Sequence, residues 1–235
     1  MPAEIKPARK VAANATAAPT RKGPSTGNKK LEQRQISMES LLEAALRLFV
    51  SQGYRSTNLE QISGAAQLTK GAVYFYFRSK EAVLIELLKR VQRTVVDEAV
   101  LRVNAAGPGF TDKLVAYIHY QAGLGITHRD EVLLLILMSL EFKEREGDVQ
   151  VFISELYERQ RSFIETLVHS GQQAGEFRAD LSTRELAAII LAINDGTFLE
   201  WFRRSATLEG PELVRALRAA VLGAATVPPA ASLQA

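Results

Sequence analysis

Residues 61–81 read QISGAAQLTKGAVYFYFRSKE, and this stretch decides how the rest of the chain is interpreted. Before a tight corner, Ile62 and Ala66 are apolar or small residues at helical spacing. After it, Thr69 can cap a second short helix that runs through the four aromatic residues 74–77. Two short helices joined by a turn of a few residues are typical of a helix-turn-helix unit, whose second helix can enter the DNA major groove.

The residues on the amino-terminal side predict a helix that packs against this unit. Apolar side chains at helical spacing predict an amphipathic helix over residues 36–51, which Gly53 ends. Thr57 and Glu60 have capping-box spacing, with Thr57 as the N-cap, and predict a second helix over about 58–66. The third covers about 70–76. The predicted shared core of the three helices is Leu46, Phe49, Ile62, Val73 and Phe77.

The rest of the chain is predicted to be helical. Ser79 can cap a longer helix that keeps one apolar face to about Val103. Further helices are expected at about 111–125, 129–145, 149–174, 182–204 and 211–223, with Ser182 and Glu185 forming a second capping box. No strand-like alternation is present, so the fold class is all-α.

Charge and composition divide the chain into a basic start and an acidic body. Residues 1–34 carry eight Lys/Arg against two acidic residues, net +6, whereas residues 93–235 carry fourteen against nineteen, net −5. Residues 1–33 contain almost no large apolar residue, so we predict a disordered basic tail, and a second disordered tail over 226–235. The basic tail either adds salt-sensitive contacts to phosphates or is only a solvated tail.

Composition also limits the classes of function. There is no cysteine, so disulfides, zinc–thiolate sites and cysteine nucleophiles are excluded. The three histidines, His119, His128 and His169, lack metal-ligand spacing, and no catalytic constellation is present, so we expect no enzyme, metal or cofactor. The longest apolar run, 132–138, is too short for a bilayer, which predicts a cytoplasmic protein without a membrane partner.

The segment LFVSQGYRSTNLEQISGAAQLTKGAVYFYFRSKEAVL resembles the DNA-binding domain of the TetR family of transcriptional regulators. In that family an alanine-rich turn precedes a Thr/Ser-Lys-Gly recognition helix that ends in Tyr-x-x-Phe and Ser-Lys-Glu. The resemblance is strong over 36–90 and extends in layout to about 223. It implies a helix-turn-helix domain at 34–80, joined by a long helix to a ligand-binding and dimerisation domain at 81–225.

The function that this resemblance implies is sequence-specific transcriptional regulation. A homodimer would bind an inverted repeat in double-stranded DNA as a repressor, and a small-molecule effector would release it. Two alternatives stay open on the residues alone: a helical architectural protein that binds DNA without an effector, and, less favoured, a helical enzyme.

Seven residues are predicted to contact DNA: Thr57, Thr69, Lys70, Gly71, Tyr74, Tyr76 and Lys80. The two threonines can donate hydroxyls to phosphates, or act only as caps. Lys70 either reaches guanine O6 and N7 or neutralises phosphate. An exposed glycine weakens a helix, so Gly71 either lets the bases approach or serves packing.

The aromatic residues and the following lysine have separate predicted roles. By resemblance, Tyr74 donates its hydroxyl to a phosphate. Tyr76 contacts the DNA or shields the core. Lys80 lies in the first turn of the next helix, where a cation opposes the helix dipole unless a phosphate is near.

Two positions depart from the family pattern. Gln67 stands in the turn where the family commonly has glycine, and a left-handed conformation there costs about 1 kcal/mol. Phe75 stands where a tyrosine is frequent, so this position lacks a hydroxyl for a phosphate.

The carboxy-terminal helices have apolar spacing that suits a dimer surface or an ordinary core. The predicted dimer residues are Ile190, Ile193, Trp201, Leu213 and Leu217, which by resemblance join a four-helix bundle. The predicted wall of the effector pocket is Tyr117, Tyr120, Phe142 and Tyr157.

Overall fold

The structure is a computed structural model, and it describes residues 26–204 and 207–227, with side chains from residue 29 onward. Within these residues it is all helical, as predicted, apart from a single antiparallel pairing of Phe177 with Thr226. The helices are α1 (Thr26–Gln52), α2 (Leu59–Ala65), α3 (Lys70–Tyr76), α4 (Lys80–Val91), a π-helical turn (Gln92–Asp97), α5 (Glu98–Ala105), α6 (Phe110–Thr127), α7 (Arg129–Glu141), α8 (Asp148–Gln173), α9 (Thr183–Arg204) and α10 (Gly210–Ala225). The chain divides into two compact units, residues 1–36 and 37–235.

Helix α1 begins earlier than the sequence predicted. Residues 26–33, predicted to belong to a disordered tail, are helical, while residues 1–25 lie outside the described part of the chain. Between Gly27 and Gly53 the sequence has no glycine or proline and is rich in Leu, Glu, Gln and Lys. These residues are strong helix formers, which explains the extension.

The second unit contains a small head made of α2, α3 and the carboxy-terminal half of α1. All five residues predicted for the shared core are buried there. The cap of α2 differs from the prediction by one residue. Asn58 is the N-cap and forms the capping box with Gln61, so the assignment of Thr57 and Glu60 to these roles is wrong.

The turn between α2 and α3 is a hydrogen-bonded helix cap. The Leu68 N–H donates to Ser63 O at 2.9 Å, and the Gln67 N–H donates to Gly64 O at 3.0 Å, the pattern of a Schellman motif. Gln67 has φ 57°, and among the described residues no other non-glycine residue has positive φ. The left-handed conformation expected from the sequence is therefore present.

A long helical segment leaves the head. Ser79 caps α4, as predicted, and α4, the π turn and α5 follow one another without a break from Lys80 to Ala105. One face of α4 is buried in the same core as α1–α3, and that core also takes in residues of α7 and α8. A second core lies among α5, α6, α8, α9 and α10.

The carboxy-terminal end of α10 is attached to the connection between α8 and α9. The Arg178 N–H donates to Ala225 O at 2.9 Å, and the Val227 N–H donates to Glu176 O at 3.4 Å. Residues 226–227, predicted as part of a disordered tail, are thus paired; residues 228–235 lie outside the described residues. The five predicted carboxy-terminal helices are present, with ends within a few residues of those expected.

Candidate nucleic-acid interface and ligand cavity

The amino-terminal end of α3 is exposed and capped by a side chain. The Thr69 hydroxyl oxygen accepts from the Ala72 N–H at 3.3 Å, so its capping role is real. Thr69, Lys70 and Gly71 all face solvent, although α3 is anchored to the head by buried Val73. This places a hydroxyl, an ammonium group and a residue without a side chain on one free helix end.

Lys70 is paired across the helix-turn-helix unit. Its ammonium group forms an ion pair with the carboxylate of Glu60 on α2. The hydrogen bond to Glu60 is the main reason why the pKa of Lys70 lies above its ordinary value. Both side chains are more than half exposed, so water screens the pair and its contribution to stability is small.

Gly71 has no packing role. A Cβ placed there would meet only the Thr69 Oγ1, at 3.9 Å. The packing alternative raised by the sequence is therefore excluded for this residue. An exposed helical glycine costs up to about 1 kcal/mol relative to alanine.

The aromatic residues of α3 divide between solvent and core. Val73 and Phe77 are buried, as predicted. Tyr74 and Phe75 are 49% and 62% exposed, respectively. Tyr76 is partly buried against the head core, and its ring meets the Phe75 ring edge-on at 5.0 Å between centroids. Tyr76 thus shields the core, while Tyr74 presents its hydroxyl outward.

Lys80 and Thr57 are bonded inside the head, which the sequence did not predict. The Lys80 ammonium donates to the carbonyl oxygens of Tyr54 and Thr57, both at 2.7 Å, and lies 4.2 Å from the centre of the Tyr54 ring. Burial lowers the pKa of Lys80. The Thr57 side chain is buried and its hydroxyl donates to Gly53 O at 2.9 Å. These two predicted DNA contacts therefore hold the loop between α1 and α2.

A cavity of about 480 Å³ lies between α6, α9 and α10, and we call it the α6–α9–α10 cavity. Its walls are mainly apolar, with Phe198 and Trp201 of α9 opposite Leu213 and Leu217 of α10. Polar groups are few: His119, Gln121, Asn194 and Thr197. A mostly apolar cavity of this size with a few polar groups is typical of a small-molecule site.

A more open groove of about 920 Å³ runs between the π turn, α5 and α6. Its rim carries Arg93, Arg102 and His128. Arg102 is paired with Glu98 at 2.9 Å. The groove and the α6–α9–α10 cavity share only His119 and Gly123, so they meet along one edge of α6.

Comparisons with known proteins agree with this architecture. Residues 41–87 match the family "Bacterial regulatory proteins, tetR family", and residues 134–209 match "Tetracyclin repressor-like, C-terminal domain". The chain is 40% identical to the crystal structure of the MbdR regulator from Azoarcus sp. CIB, over 81% of this chain and 100% of that one, with a TM-score of 0.74. The chain belongs to the TetR family.

Other members are more distant. The HTH-type transcriptional repressor KstR2 of Mycobacterium tuberculosis is 26% identical over 79% of this chain and 91% of its own length. The structure of AibR in complex with isovaleryl coenzyme A and operator DNA is 20% identical, over 78% of this chain and 97% of that one, with a TM-score of 0.68. At this identity the AibR match shows the fold alone.

The four residues predicted to form the effector pocket of this TetR-family regulator do not share one cavity. Tyr117 is fully buried, and its hydroxyl accepts from the Gln160 side chain at 3.2 Å. Tyr120 lines the open groove. Phe142 and Tyr157 line a third cavity, of about 280 Å³, and burial raises the pKa of Tyr157 to about 12.

The residues predicted for the dimer surface of the regulator also divide. Ile190 and Leu217 are 1% and 5% exposed within a single chain, which leaves them no surface for a partner. Ile193 packs against the same core. Trp201 and Leu213 line the α6–α9–α10 cavity. The apolar spacing indicates that these side chains are buried. It does not distinguish burial within one chain from burial between two chains.

The sequence did not predict the side-chain hydrogen bonds that connect α6 to the π turn. The Gln121 side chain is buried and donates from Nε2 to Val95 O at 3.2 Å, and the Tyr120 hydroxyl donates to Thr94 O. A signal was available, because Gln121 is the polar member of an otherwise apolar stripe with Leu114, Ile118 and Leu124. Within the described residues no group of three His, Cys, Asp or Glu can hold a metal ion, and no helix is long and apolar enough to cross a membrane.

Proposed function

We propose that this regulator is a repressor that binds an inverted-repeat operator as a homodimer and leaves it when a small molecule binds its carboxy-terminal domain. The observation that carries the proposal is the empty space around Gly71 at the exposed start of α3. A helical glycine without a packing role fits a helix that another molecule approaches closely. A recognition helix in the DNA major groove has that requirement.

The DNA contacts proposed from the geometry are fewer than those predicted from the sequence. Thr69, Lys70, Gly71 and Tyr74 face outward together from α3. The backbone N–H groups of Lys70 and Gly71 in the first turn and the positive end of the helix suit phosphate, while the long Lys70 side chain can reach a base edge. Tyr76 contributes by holding α3 to the head.

The proposed dimer surface is the exposed small-residue face of α9 and α10. It consists of Ala188, Ile189, Ala192 and Gly196 on α9, with Ala216, Ala219, Ala220 and Gly223 on α10. A Cβ placed at Gly196 or Gly223 would meet nothing within 4 Å, so neither glycine is needed inside the chain. Small side chains let helices of two copies approach closely. The pairing would set two recognition helices ~34–36 Å apart, as an inverted repeat requires.

The effector is proposed to occupy the α6–α9–α10 cavity. KstR2 is named as a repressor, and AibR was solved with both isovaleryl coenzyme A and operator DNA. KstR2 supports repression as the class of function for the present chain, whereas the AibR match supports the fold. The effector of this chain is to be identified by binding to its own cavity. A regulator of chromosomal DNA works in the cytoplasm, which is the compartment we propose.

A footprint on the DNA that flanks its own gene tests the proposal against an architectural role. Protection of a short palindrome is expected for a repressor. Uniform coverage with a steep salt dependence would contradict it and favour the architectural alternative. Lys70→Ala, with Lys113→Ala in α6 as the matched lysine control, then separates base reading from phosphate binding. Equal loss on operator and random DNA would remove Lys70 from the specificity residues.

The role of Gly71 has its own test. Gly71→Ala should leave the fold as stable or up to about 1 kcal/mol more stable, because alanine favours helix. Operator affinity should nevertheless fall by about tenfold, as expected when about 1.4 kcal/mol of contact is lost. Gly64→Ala is the control, since Gly64 also faces open space, but on α2. Unchanged operator affinity for Gly71→Ala would contradict the proposed docking.

A further inference from the structure

We infer that the α6–α9–α10 cavity takes a neutral, largely apolar ligand and that Gln121 transmits its binding to the helix that carries the DNA-binding head. The inference rests on the proposed function, since it names the ligand class and the readout of the proposed effector site. Four features carry it: the cavity lining, the position of Gln121, the π turn, and the way α4 is held in the head.

The lining of the cavity selects against charge. Among the described residues that line it there is no Lys, Arg, Asp or Glu, and His119 is the one histidine. An ion placed among Phe198, Trp201 and Leu217 would lose its hydration without gaining a partner, which is strongly unfavourable. An aliphatic or aromatic group is favoured there, with one oxygen atom to meet Asn194, Thr197 or Gln121.

Gln121 belongs to the cavity wall and to the π turn at once. Its side chain is 7% exposed, lines the cavity, and donates to Val95 O at 3.2 Å. The neighbouring Tyr120 hydroxyl holds Thr94 O from the groove side. The amide has two hydrogens, and the bond to Val95 uses one of them. A ligand oxygen that accepts from this amide on the cavity side can draw the side chain away from Val95 O.

The π turn is the part of the linking segment that can respond. The Glu98 N–H donates to Arg93 O, five residues back, in place of the four-residue spacing of an α-helix. Such turns are rare and occur mostly as single interruptions at functional sites. With two side chains of α6 holding its carbonyl groups, its geometry depends on where α6 lies.

A change at the π turn reaches the head because α4 is built into the head core. Val83, Leu84, Leu87 and Leu88 are buried in the core that α4 shares with α1–α3 and with residues of α7 and α8. The head therefore follows the direction of α4, and the π turn sets the angle between α4 and α5. A ligand acts through this element only if it binds one arrangement of the turn more tightly than the other.

On α9 the cavity lies away from the proposed dimer surface. With about 100° per residue, Asn194, Phe198 and Trp201 lie on one side of α9, and Ala192 and Gly196 lie on the other. The residues lining the cavity and the small-residue face are therefore on opposite sides of the helix.

Ligand class is tested with the full chain and the neutral dye Nile red, whose fluorescence reports apolar binding. Octanol should displace the dye with an affinity at least about tenfold higher than that of octanoate, which differs by its charge. Val214→Trp, which fills the cavity, should abolish dye binding, while Ala116→Trp in the groove should not. Equal displacement by the acid and the alcohol, or dye binding that survives Val214→Trp, would overturn the assignment.

The transmission of ligand binding through Gln121 to the π turn is tested by hydrogen exchange of the amides in that turn. This measurement needs no DNA. Saturating octanol should speed their exchange by about fivefold or more. Gln121→Leu should speed it without ligand and remove the response to octanol. Gln160→Leu is the matched control, because Gln160 is also 7% exposed but bonds to Tyr117. An unchanged π turn on ligand binding, or the same behaviour in both variants, would reject the role of Gln121.

The proposed repressor function and the proposed role of Gln121 are contradicted by different experimental results. If the footprint shows no palindrome but octanol still loosens the π turn, the proposed repressor function is wrong and the ligand site stands. If the palindrome is protected and the π turn does not respond, this inference is wrong and the repressor stands. With both intact, octanol should weaken operator binding by about tenfold in the wild type and by less than twofold in Gln121→Leu.

Discussion

Helices α2 and α8 end in the same hydrogen-bonded cap, yet a different residue occupies its left-handed position. At α2 that residue is Gln67, with φ 57°, and at α8 it is Gly175, with φ 73°. At α8 the Glu176 N–H donates to Gly171 O at 3.0 Å and the Gly175 N–H donates to Gln172 O at 3.1 Å, matching the bonds around Gln67. The hydrogen bonds therefore define the motif at both helices, and glycine only lowers the free-energy cost of the left-handed conformation.

The surroundings of the two caps differ more than the caps themselves. The cap of α2 is exposed at Gln67 and leads into the recognition helix. The cap of α8 is followed by buried Phe177, which fills the space beside Gly171. The cap of α2 orients the exposed helix α3, and the cap of α8 is part of a buried core.

The largest expected effect comes from filling the space beside Phe177. A Cβ at Gly171 would lie 2.2 Å from the Phe177 ring, so Gly171→Ala forces the ring out of its site. We expect a loss of about 3 kcal/mol in the free energy of unfolding. Chemical denaturation measures it. The double variant Gly171→Ala/Phe177→Leu should recover part of the lost stability. Equal stability of Gly171→Ala and wild type would mean that the Phe177 ring can move to another position without cost.

Exchanging the left-handed residues gives the next effect. Gly175→Gln places at α8 the residue that α2 already has, and it should lower the free energy of unfolding by about 1 kcal/mol because a Cβ is disfavoured at positive φ. Urea titration of the variant against wild type is the measurement. A loss of several kcal/mol would show that the α8 cap, unlike the α2 cap, does not tolerate glutamine in the left-handed position.

The reverse exchange should stabilise the head slightly. Gln67→Gly removes the left-handed penalty but makes the unfolded chain more flexible, so the net gain is about 0.5 kcal/mol. Because the cap geometry is already that of the usual motif, operator affinity should stay within about twofold. A thermal melt and a DNA titration check both statements. A large change in affinity would indicate that Gln67 itself alters the pose of α3.

The smallest effect concerns the residue after Gly175. The Glu176 carboxylate accepts from the Phe110 and Thr111 N–H groups at 3.0 and 2.8 Å, which caps α6 and lowers the pKa of Glu176. A lowered pKa means that the stabilisation is present above the unfolded value of about 4.3 and is lost as pH falls through the folded value. Glu176→Gln should therefore be less stable than wild type at pH 7, by about 0.3 kcal/mol, and the difference should shrink below about pH 4. A constant difference across that range would contradict the charge-dependent cap.

What the sequence predicted, and what it did not, follows from the range of each interaction. The existence and approximate extent of most helices and the head core depend on neighbouring residues, so local patterns were sufficient there, although the start of α1 and the cap of α2 were not predicted. The partners of Lys80 lie 23 and 26 residues away in the chain, and the bond from Gln121 to Val95 also spans 26 residues. Such pairings depend on how helices pack, and no spacing rule contains that information.

The same limit explains the candidate site. The exposure of Thr69, Lys70 and Gly71 at the start of α3 is predictable because capping and helix periodicity fix their direction. Thr57 was misplaced because the cap moved by one residue, to Asn58, and that turned the hydroxyl inward. Ile190 was misplaced because a helix that packs on two sides has apolar residues around much of its circumference.

The ion pair between Lys70 and Glu60 has a consequence for how binding depends on salt. A lysine that reaches a phosphate displaces a counterion from DNA, and each such contact steepens the fall of affinity with salt concentration. If Lys70 makes such a contact, its ammonium would leave the Glu60 carboxylate unpaired, and that carboxylate would attract a cation from solution. One ion is released and another is bound, so the salt dependence should be shallower than the number of phosphate contacts suggests. We therefore expect Glu60 to weaken binding to arbitrary DNA more than binding to a site whose bases Lys70 can reach.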